Sequence, residues 1–375
     1  MTTNFPWDHT RLVAPTTIHH LSIGGRAILF CEARQVLYGL NSTADRIWRS
    51  LAEDGRPVEA RRRLTDLGLA DNDARAFVED ATLSWLHGGQ LAPREALARL
   101  HEQATATRTI CIDELIARID LFSVAPNEVD DVFGQFASDP RKTALRLSVV
   151  SCGDRFFLFE GERPLGSCGS SEWIPRLKAV LTEHYTAAVR DAFLMHAAFL
   201  VRGNKGILLS GAPGAGKTTL CVALARSGCE YQGDDIVRLE SNGKATGTPF
   251  AACVKAPAWP LVASYAPEID ELPVYRRSDG KDVRYLPVPP VKRRPRSIDF
   301  VLLLSRQPDA KPAFEPLEPL DAFSTLLESA FSAKGSISAP ALKTFASAME
   351  GAASFRFVYS NLAEAIAAIK DLTDE

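Results

Sequence analysis

The 375-residue chain lacks the features that would place it quickly in a class. Its seven cysteines, at positions 31, 111, 152, 168, 221, 229 and 253, are odd in number and none forms a C-x-x-C pair. That argues against a disulfide framework and against a thiolate zinc site, and makes reduced thiols in a cytoplasmic protein the plain expectation. The net charge is only −3, from 43 Lys and Arg against 46 Asp and Glu. There is no cationic surplus of the kind that marks a general nucleic-acid binder. The start, MTTNFPWDHTRLVAP, has no cationic head followed by an apolar core, so it is not a signal peptide. No apolar run is long enough to span a bilayer, so no membrane partner is expected. What is present is an ordinary globular composition, 46% apolar and 24% charged, with room for two or three domains.

The first stretch, to about residue 91, reads as three strands followed by three helices. TTIHHLSI, RAILFCEA and QVLYGL have strand character, and Gly24-Gly25 supplies a turn between the first two. Asn41-Ser42 is a good N-cap for a helix through Ile47, Trp48 and Leu51, which Gly55-Arg56-Pro57 breaks. VEARRRLTDLG closes a second helix on Gly68, and a third runs from about Asp71 to His87 and stops at Gly88-Gly89. Residues 92–108 read as a polar, partly helical linker, and a second domain is expected over 109–375. There LRLSVVSC and RFFLFEG alternate as antiparallel strands, and a helix spans about 171–192. AAFLV, GILLS, IDFVLLLS and ASFRFVYS read as strands, and LAEAIAAIKDL as a closing amphipathic helix. LPVPPVKRRPR, at 286–296, is expected to be an exposed loop.

The chemistry begins at Gly211-Ala212-Pro213-Gly214-Ala215-Gly216-Lys217-Thr218, a complete G-x-x-x-x-G-K-[ST] motif. Its glycines let the backbone turn tightly, so that successive N–H groups face phosphate oxygens. The helix that follows, with Thr219 in its first turn, adds the positive end of its dipole. Lys217 is the side chain for the β- and γ-phosphates of ATP, and the Thr218 hydroxyl is a candidate Mg²⁺ ligand. The context agrees with the motif. Ile207, Leu208 and Leu209 make a strand before it; Leu220, Ala223 and Leu224 give the helix after it an apolar face; Gly228 ends that helix.

Past the helix stands Gly233-Asp234-Asp235, beside a strand pattern. If that strand returns next to the phosphate loop, one carboxylate can hold Mg²⁺ and the other can take a proton from an attacking hydroxyl. A solvated turn is the bland alternative. His196, on the strand before the P-loop strand, is either a core histidine or part of the same constellation. Two other features are set aside. Leu86-His-Gly-Gly-Gln90 is similar to a transporter-ATPase signature but lies ahead of the P-loop, so it reads as a helix C-cap. No apolar strand ends in aspartate as a usual Walker B strand does, which argues against motor and transporter ATPases. The basic group Arg276, Arg277, Lys281 and Arg284 is a candidate lid over phosphates.

The stretch MHAAFLVRGNKGILLSGAPGAGKTTLCVALARSGCEYQGDD resembles the core of the HPr kinase/phosphorylase family. That family has a histidine-bearing strand, a P-loop, a helix ending in glycine and an Asp-Asp pair in this order. The resemblance implies an α/β P-loop kinase domain of the fold shared with ATP-dependent phosphoenolpyruvate carboxykinases. It implies a serine-directed protein kinase using ATP and Mg²⁺. Carried over by position, Asp234 would be the general base, Asp235 and Thr218 would bind Mg²⁺, and His196 would tune the acid pair, with the two aspartates open to exchange. Family members assemble as hexamers, so a homo-oligomer is admitted. The chain departs from the family in having Thr218 for the more usual serine and in lacking the glycine- and arginine-rich segment after Asp-Asp.

Residues 15–91 carry a second resemblance. Tyr38-Gly-Leu-Asn41-x-Thr43-Ala44-x-x-Ile47-Trp48, then Leu51 and a Gly-x-Pro-Val helix start, is similar to PqqD-type peptide chaperones. This implies a small α+β, winged-helix-like recognition element for the leader of a ribosomally made precursor peptide. Together the two resemblances imply a kinase acting on a hydroxyl of a leader-bound peptide. An ATP-dependent activator of a carboxylate or amide, and a nucleotide-gated peptide carrier without turnover, are the alternatives.

Overall fold

The computed structural model describes residues 5–139, 143–189, 192–288, 295–331 and 337–374. Near the N-terminus β1 (Leu12–Val13) is followed by β2 (Ile18–Ile23), β3 (Arg26–Cys31) and β4 (Val36–Leu40). Gly24 and Gly25, with φ of 58° and 76°, turn β2 back onto β3. The three strands form an antiparallel sheet in the order β2-β3-β4, so β2 and β4 are its edges among the described residues. Asn41 caps α1 (Ser42–Asp54) by accepting from the Ala44 amide at 2.8 Å. Pro57 opens α2 (Pro57–Asp66), and α3 (Asp71–Gly88) ends where Gly89 turns left-handed. There the Gln90 amide donates to Trp85 O at 2.9 Å, so LHGGQ is a helix terminus.

The linker segment holds β5 (Ala92–Pro93), paired with β1, and α4 (Arg94–Arg99). Next come β6 (Ala106–Ile112), β7 (Leu115–Phe122), β8 (Leu145–Cys152), β9 (Arg155–Glu160) and β10 (Arg163–Cys168), a five-stranded sheet of order β10-β9-β8-β7-β6. β8 and β9 are antiparallel, as their alternation predicts, whereas β7 and β8 are parallel. One apolar cluster runs from Trp7 and Leu29 through Trp48, Val78 and Leu86 to Val150, Phe157 and Phe159. Within it Trp48 and Trp85 meet edge to face at 5.1 Å. The contacts accordingly gather Met1–Ile110, Ile116–Asn127 and Ser138–Trp173 into one unit, and Cys111–Leu115, Glu128–Ala137 and Ile174–Glu375 into another. Most of the five-stranded sheet lies in the first unit, while the Cys111–Leu115 turn between β6 and β7 belongs to the second.

The second unit contains α5 (Asn127–Phe133), α6 (Trp173–Ala188), β11 (Phe193–Met195), β12 (Ala198–Arg202), β13 (Lys205–Ser210), α7 (Lys217–Arg226) and β14 (Glu230–Gly233). It continues with β15 (Val237–Leu239), β16 (Ala245–Gly247), β17 (Ala252–Lys255), α8 (Trp259–Ala263), β18 (Tyr275–Arg276) and β19 (Asp282–Leu286). Last come β20 (Phe300–Arg306), β21 (Ala313–Pro316), α9 (Pro319–Glu328), β22 (Ala330–Phe331), α10 (Ala339–Glu350), β23 (Ala353–Tyr359) and α11 (Leu362–Asp374). The main sheet has the order β14-β12-β13-β20-β23-β21. β13, β20 and β23 are parallel, and β12 is antiparallel to both β13 and β14. β13 and β14 therefore run the same way and end at one edge of the sheet, which is also where β12 begins.

Alternation along β13 divides its side chains between two cores. Ile207 and Leu209 pack with Leu220 and Leu224 of α7 and Ile366 and Ile369 of α11. Leu208 packs with Leu326 of α9 and Phe345 of α10. The sheet is thus covered by helices on both faces, as its parallel centre, β13, β20 and β23, requires. β17, β18 and β19 form a separate three-stranded sheet that carries the basic group. There Arg276 pairs with Asp282 at 2.9 Å, Lys281 with Asp279 at 3.1 Å and Arg284 with Asp270 at 2.9 Å. The expected lid is thus a hairpin whose cations are paired with acids of the same region. Most of the expected exposed loop, 289–294, lies outside the described residues.

Candidate functional site

β13 is held between β12 and β20, and the chain leaves it at Ser210 to turn through 211–216 before α7 starts at Lys217. Ala212, Pro213 and Gly214 are exposed at the tip of this turn. Gly216 sits at φ 93°, a left-handed position, and a Cβ there would lie 2.7 Å from Tyr359 Oη. Tyr359, at the end of β23, donates to Ala215 O at 3.1 Å and so braces the loop from the side. The Leu220 amide closes a helical bond to Gly216 O at 2.8 Å. The amides of Lys217, Thr218 and Thr219 belong to the first turn, where a helix has no acceptor of its own, and they form an anion-binding end. Lys217 Nζ donates to Gly211 O at 2.7 Å. Burial and the nearby Lys255 ammonium push the Lys217 pKa down, against the pull of Asp235 and Asp234.

Asp234 and Asp235 follow β14 directly, and so stand at the edge where the phosphate loop lies. Gly233 makes this approach possible, because its φ is 150° and a Cβ would come 2.5 Å from Thr248 O. The two carboxylates have different surroundings. Asp234 is buried, accepts from Tyr231 Oη at 3.0 Å and lies near the Thr218 side chain. Burial and then the Asp235 charge push its pKa up, against Lys178, Thr218 and Tyr231. Asp235 is more open, with 29% of its side chain exposed. Its Oδ2 takes Lys178 Nζ at 2.5 Å and its Oδ1 faces His196 Nδ1 at 3.1 Å. Burial would raise its pKa, but the Lys178 ammonium and the His196 hydrogen bond hold it well below the usual carboxylate range.

His196 lies between β11 and β12 with its side chain 44% exposed, so it is not a core histidine. Its Nδ1 also lies 3.0 Å from the Asp235 carbonyl oxygen. The structure therefore brings together Lys217, Thr218, Asp234, Asp235 and His196, all singled out from sequence. Ala212, Pro213, Gly214, Ala215 and Thr219 form the loop and helix start around them.

Two residues of the site escaped sequence reading, Tyr231 and Lys178. Lys178 is in α6, where Ile174, Leu181 and Tyr185 are all fully buried. The spacing 174, 178, 181, 185 is one helix face, so a lysine at the second position is the signal that marks it. Across from the acids, Cys253 of β17 pairs in register with Tyr285 of β19, and Arg277 Nη1 lies 3.9 Å from Cys253 Sγ.

Among the described residues no group of three or more His, Cys, Asp or Glu is arranged to hold a metal. Thr218 and one aspartate do fit Mg²⁺, which is commonly held by one or two protein oxygens together with substrate phosphates. Also among the described residues, no helix is long and apolar enough to cross a membrane.

No family model and no curated protein matches the chain. Among solved structures, the Hpr(Ser) kinase/phosphatase from Coxiella burnetii is similar at 15% identity, covering 48% of this chain and 97% of that one, with a TM-score of 0.23. A likeness this loose gives no residue correspondence, so the reading below stands on the site's own geometry.

Proposed function

We propose that the chain is an ATP-dependent kinase that transfers the γ-phosphoryl group to a hydroxyl, in first place serine, of a ribosomally made precursor peptide. The observation that carries this is the different setting of the two aspartates: Asp234 is buried near the P-loop threonine, while Asp235 is the more exposed and is held by Lys178 and His196. The roles proposed here exchange those that position in the family implies. Thr218 and Asp234 would hold Mg²⁺, which when bound neutralises phosphate charge. Asp235 accepts the hydroxyl proton as the oxygen forms its bond to phosphorus and the bond to the leaving ADP oxygen breaks. Lys217 and the N–H groups of Gly214 and Gly216 to Thr219 bind and orient the phosphates.

For the peptide, the support lies in the first unit. Its three-stranded sheet has open edges among the described residues, and Leu21, Ile23, Val36 and Leu37 are exposed on the edge strands. An extended leader can add as a further strand there, which would raise the concentration of its core at the site. The test is incubation of the full chain with γ-labelled ATP and a precursor peptide encoded near its gene. Stable label on a hydroxyl is the expected result. Phosphate release with altered peptide bonds and no retained label would mean carboxylate or amide activation, and ATP-dependent binding without turnover would mean a carrier.

A further inference from the structure

Lys178 is a lysine on an otherwise apolar helix face, with 10% of its side chain exposed. Its Nζ lies 5.0 Å from the centre of the Phe250 ring, and Phe250 is itself packed edge-on by Phe133 and Phe136 at 6.3 and 5.1 Å. An aliphatic residue would serve the packing of that face as well, because an ammonium must be desolvated to sit there. What the ammonium does is take Asp235 Oδ2 at 2.5 Å, while His196 faces Oδ1 at 3.1 Å. The carboxylate is thus gripped at both oxygens by groups from two separate segments. A cation already in contact with Asp235 also disfavours a second cation on the same carboxylate, whereas Asp234 has no cation bonded to it among the described residues and takes the Tyr231 hydroxyl.

We propose that Lys178 is a positioning residue for phosphoryl transfer, fixing the Asp235 carboxylate toward the acceptor hydroxyl and away from the metal. This rests on the kinase reading above. It acts through Asp235, since Lys178 is placed on that carboxylate and not on the phosphate loop.

The test uses Lys178→Met in the full chain, a substitution that suits the apolar face. A crystal structure of this variant should show Asp235 displaced from His196. With γ-labelled ATP, kcat should fall roughly a hundredfold, while KM for ATP and the half-saturating Mg²⁺ concentration stay within about twofold. In an Asp235→Asn background the same substitution should cost less than about threefold, because the partner it acts through is already gone. Asp235 keeping its place in Lys178→Met overturns the inference whatever the activity. So does a loss that excess Mg²⁺ restores, or one that is fully additive with Asp235→Asn. A wild-type chain that moves no phosphate, with Asp235 still displaced in Lys178→Met, refutes the kinase reading instead and leaves the positioning contact supported.

Discussion

Tyr231 has one hydroxyl hydrogen and two acceptors for it, Asp234 Oδ1 at 3.0 Å and the Phe250 carbonyl at 2.9 Å. All three groups are buried, and the phenol is a hydrogen-bond donor to the Asp234 side chain. Tyr231→Phe should leave that carboxylate short of a donor and lower stability by about 1–3 kcal/mol. Urea unfolding followed by far-UV dichroism measures this; an unchanged midpoint would mean that Asp234 finds another donor.

The opposite pKa directions of the aspartates give opposite pH effects. Asp235, held low, contributes stability that is present above the ordinary carboxylate pKa and is lost as pH falls through its folded value. Asp234, pushed up by burial, favours its protonated form in the folded chain, so its ionisation removes stability as pH rises. Asp234→Asn keeps the shape without the charge. At pH 7 it should raise Tm by about 2 °C or more while weakening the response to Mg²⁺. Calorimetry and Mg²⁺ titration of the transfer rate read the two effects separately.

Asp235→Asn should do the reverse to the chemistry. It removes the proton acceptor but leaves Thr218 and Asp234, so transfer should slow roughly a hundredfold with ATP affinity nearly intact. Turnover at the wild-type rate with a raised Mg²⁺ requirement would return the two aspartates to the roles the family resemblance implies.

Lys217→Ala removes the ammonium that points into the loop at Gly211 O. Transfer should drop at least a hundredfold and ATP binding should weaken, and arginine should restore little because its planar fork differs in shape from a compact ammonium. Labelled-phosphate incorporation at wild-type rate would refute the phosphate-site assignment.

Leader binding should not need nucleotide. Titration of the full chain with leader peptide should give the same affinity with and without ATP. A proline in the paired stretch should weaken binding about tenfold or more, since it removes a backbone donor. No detectable binding at high micromolar peptide would leave the exposed edge strands without this partner.

Sequence reading reached the phosphate loop because everything that defines it is local: a buried strand, glycines at fixed offsets, a lysine and a helix start. The same holds for the Asn41 cap and the Gly89 terminus. Adjacent residues such as Asp234 and Asp235 could be found but not told apart, because their different surroundings are set by Gly233 and by partners from α6, from β14 and from the turn between β11 and β12. Lys178 was hidden because helical periodicity is read from apolar positions and skips a lysine among them. Apolar runs also carry no direction, so the antiparallel entry of β12 between two strands of one sense, and the parallel pairing of β7 with β8, were not legible.

The order of the main sheet has a consequence for synthesis on the ribosome. β12, β13 and β14 follow one another in the chain and β12 pairs with both of the others, so these strands can associate early. The brace on the phosphate loop comes from Tyr359, more than a hundred residues further along the chain. A nascent chain arrested before β23 would hold His196, the loop and the acids, yet Gly216 would face no phenol and β20 would lack one of its two neighbours. Nucleotide affinity should therefore appear only after β23 has been made, well after the loop it braces.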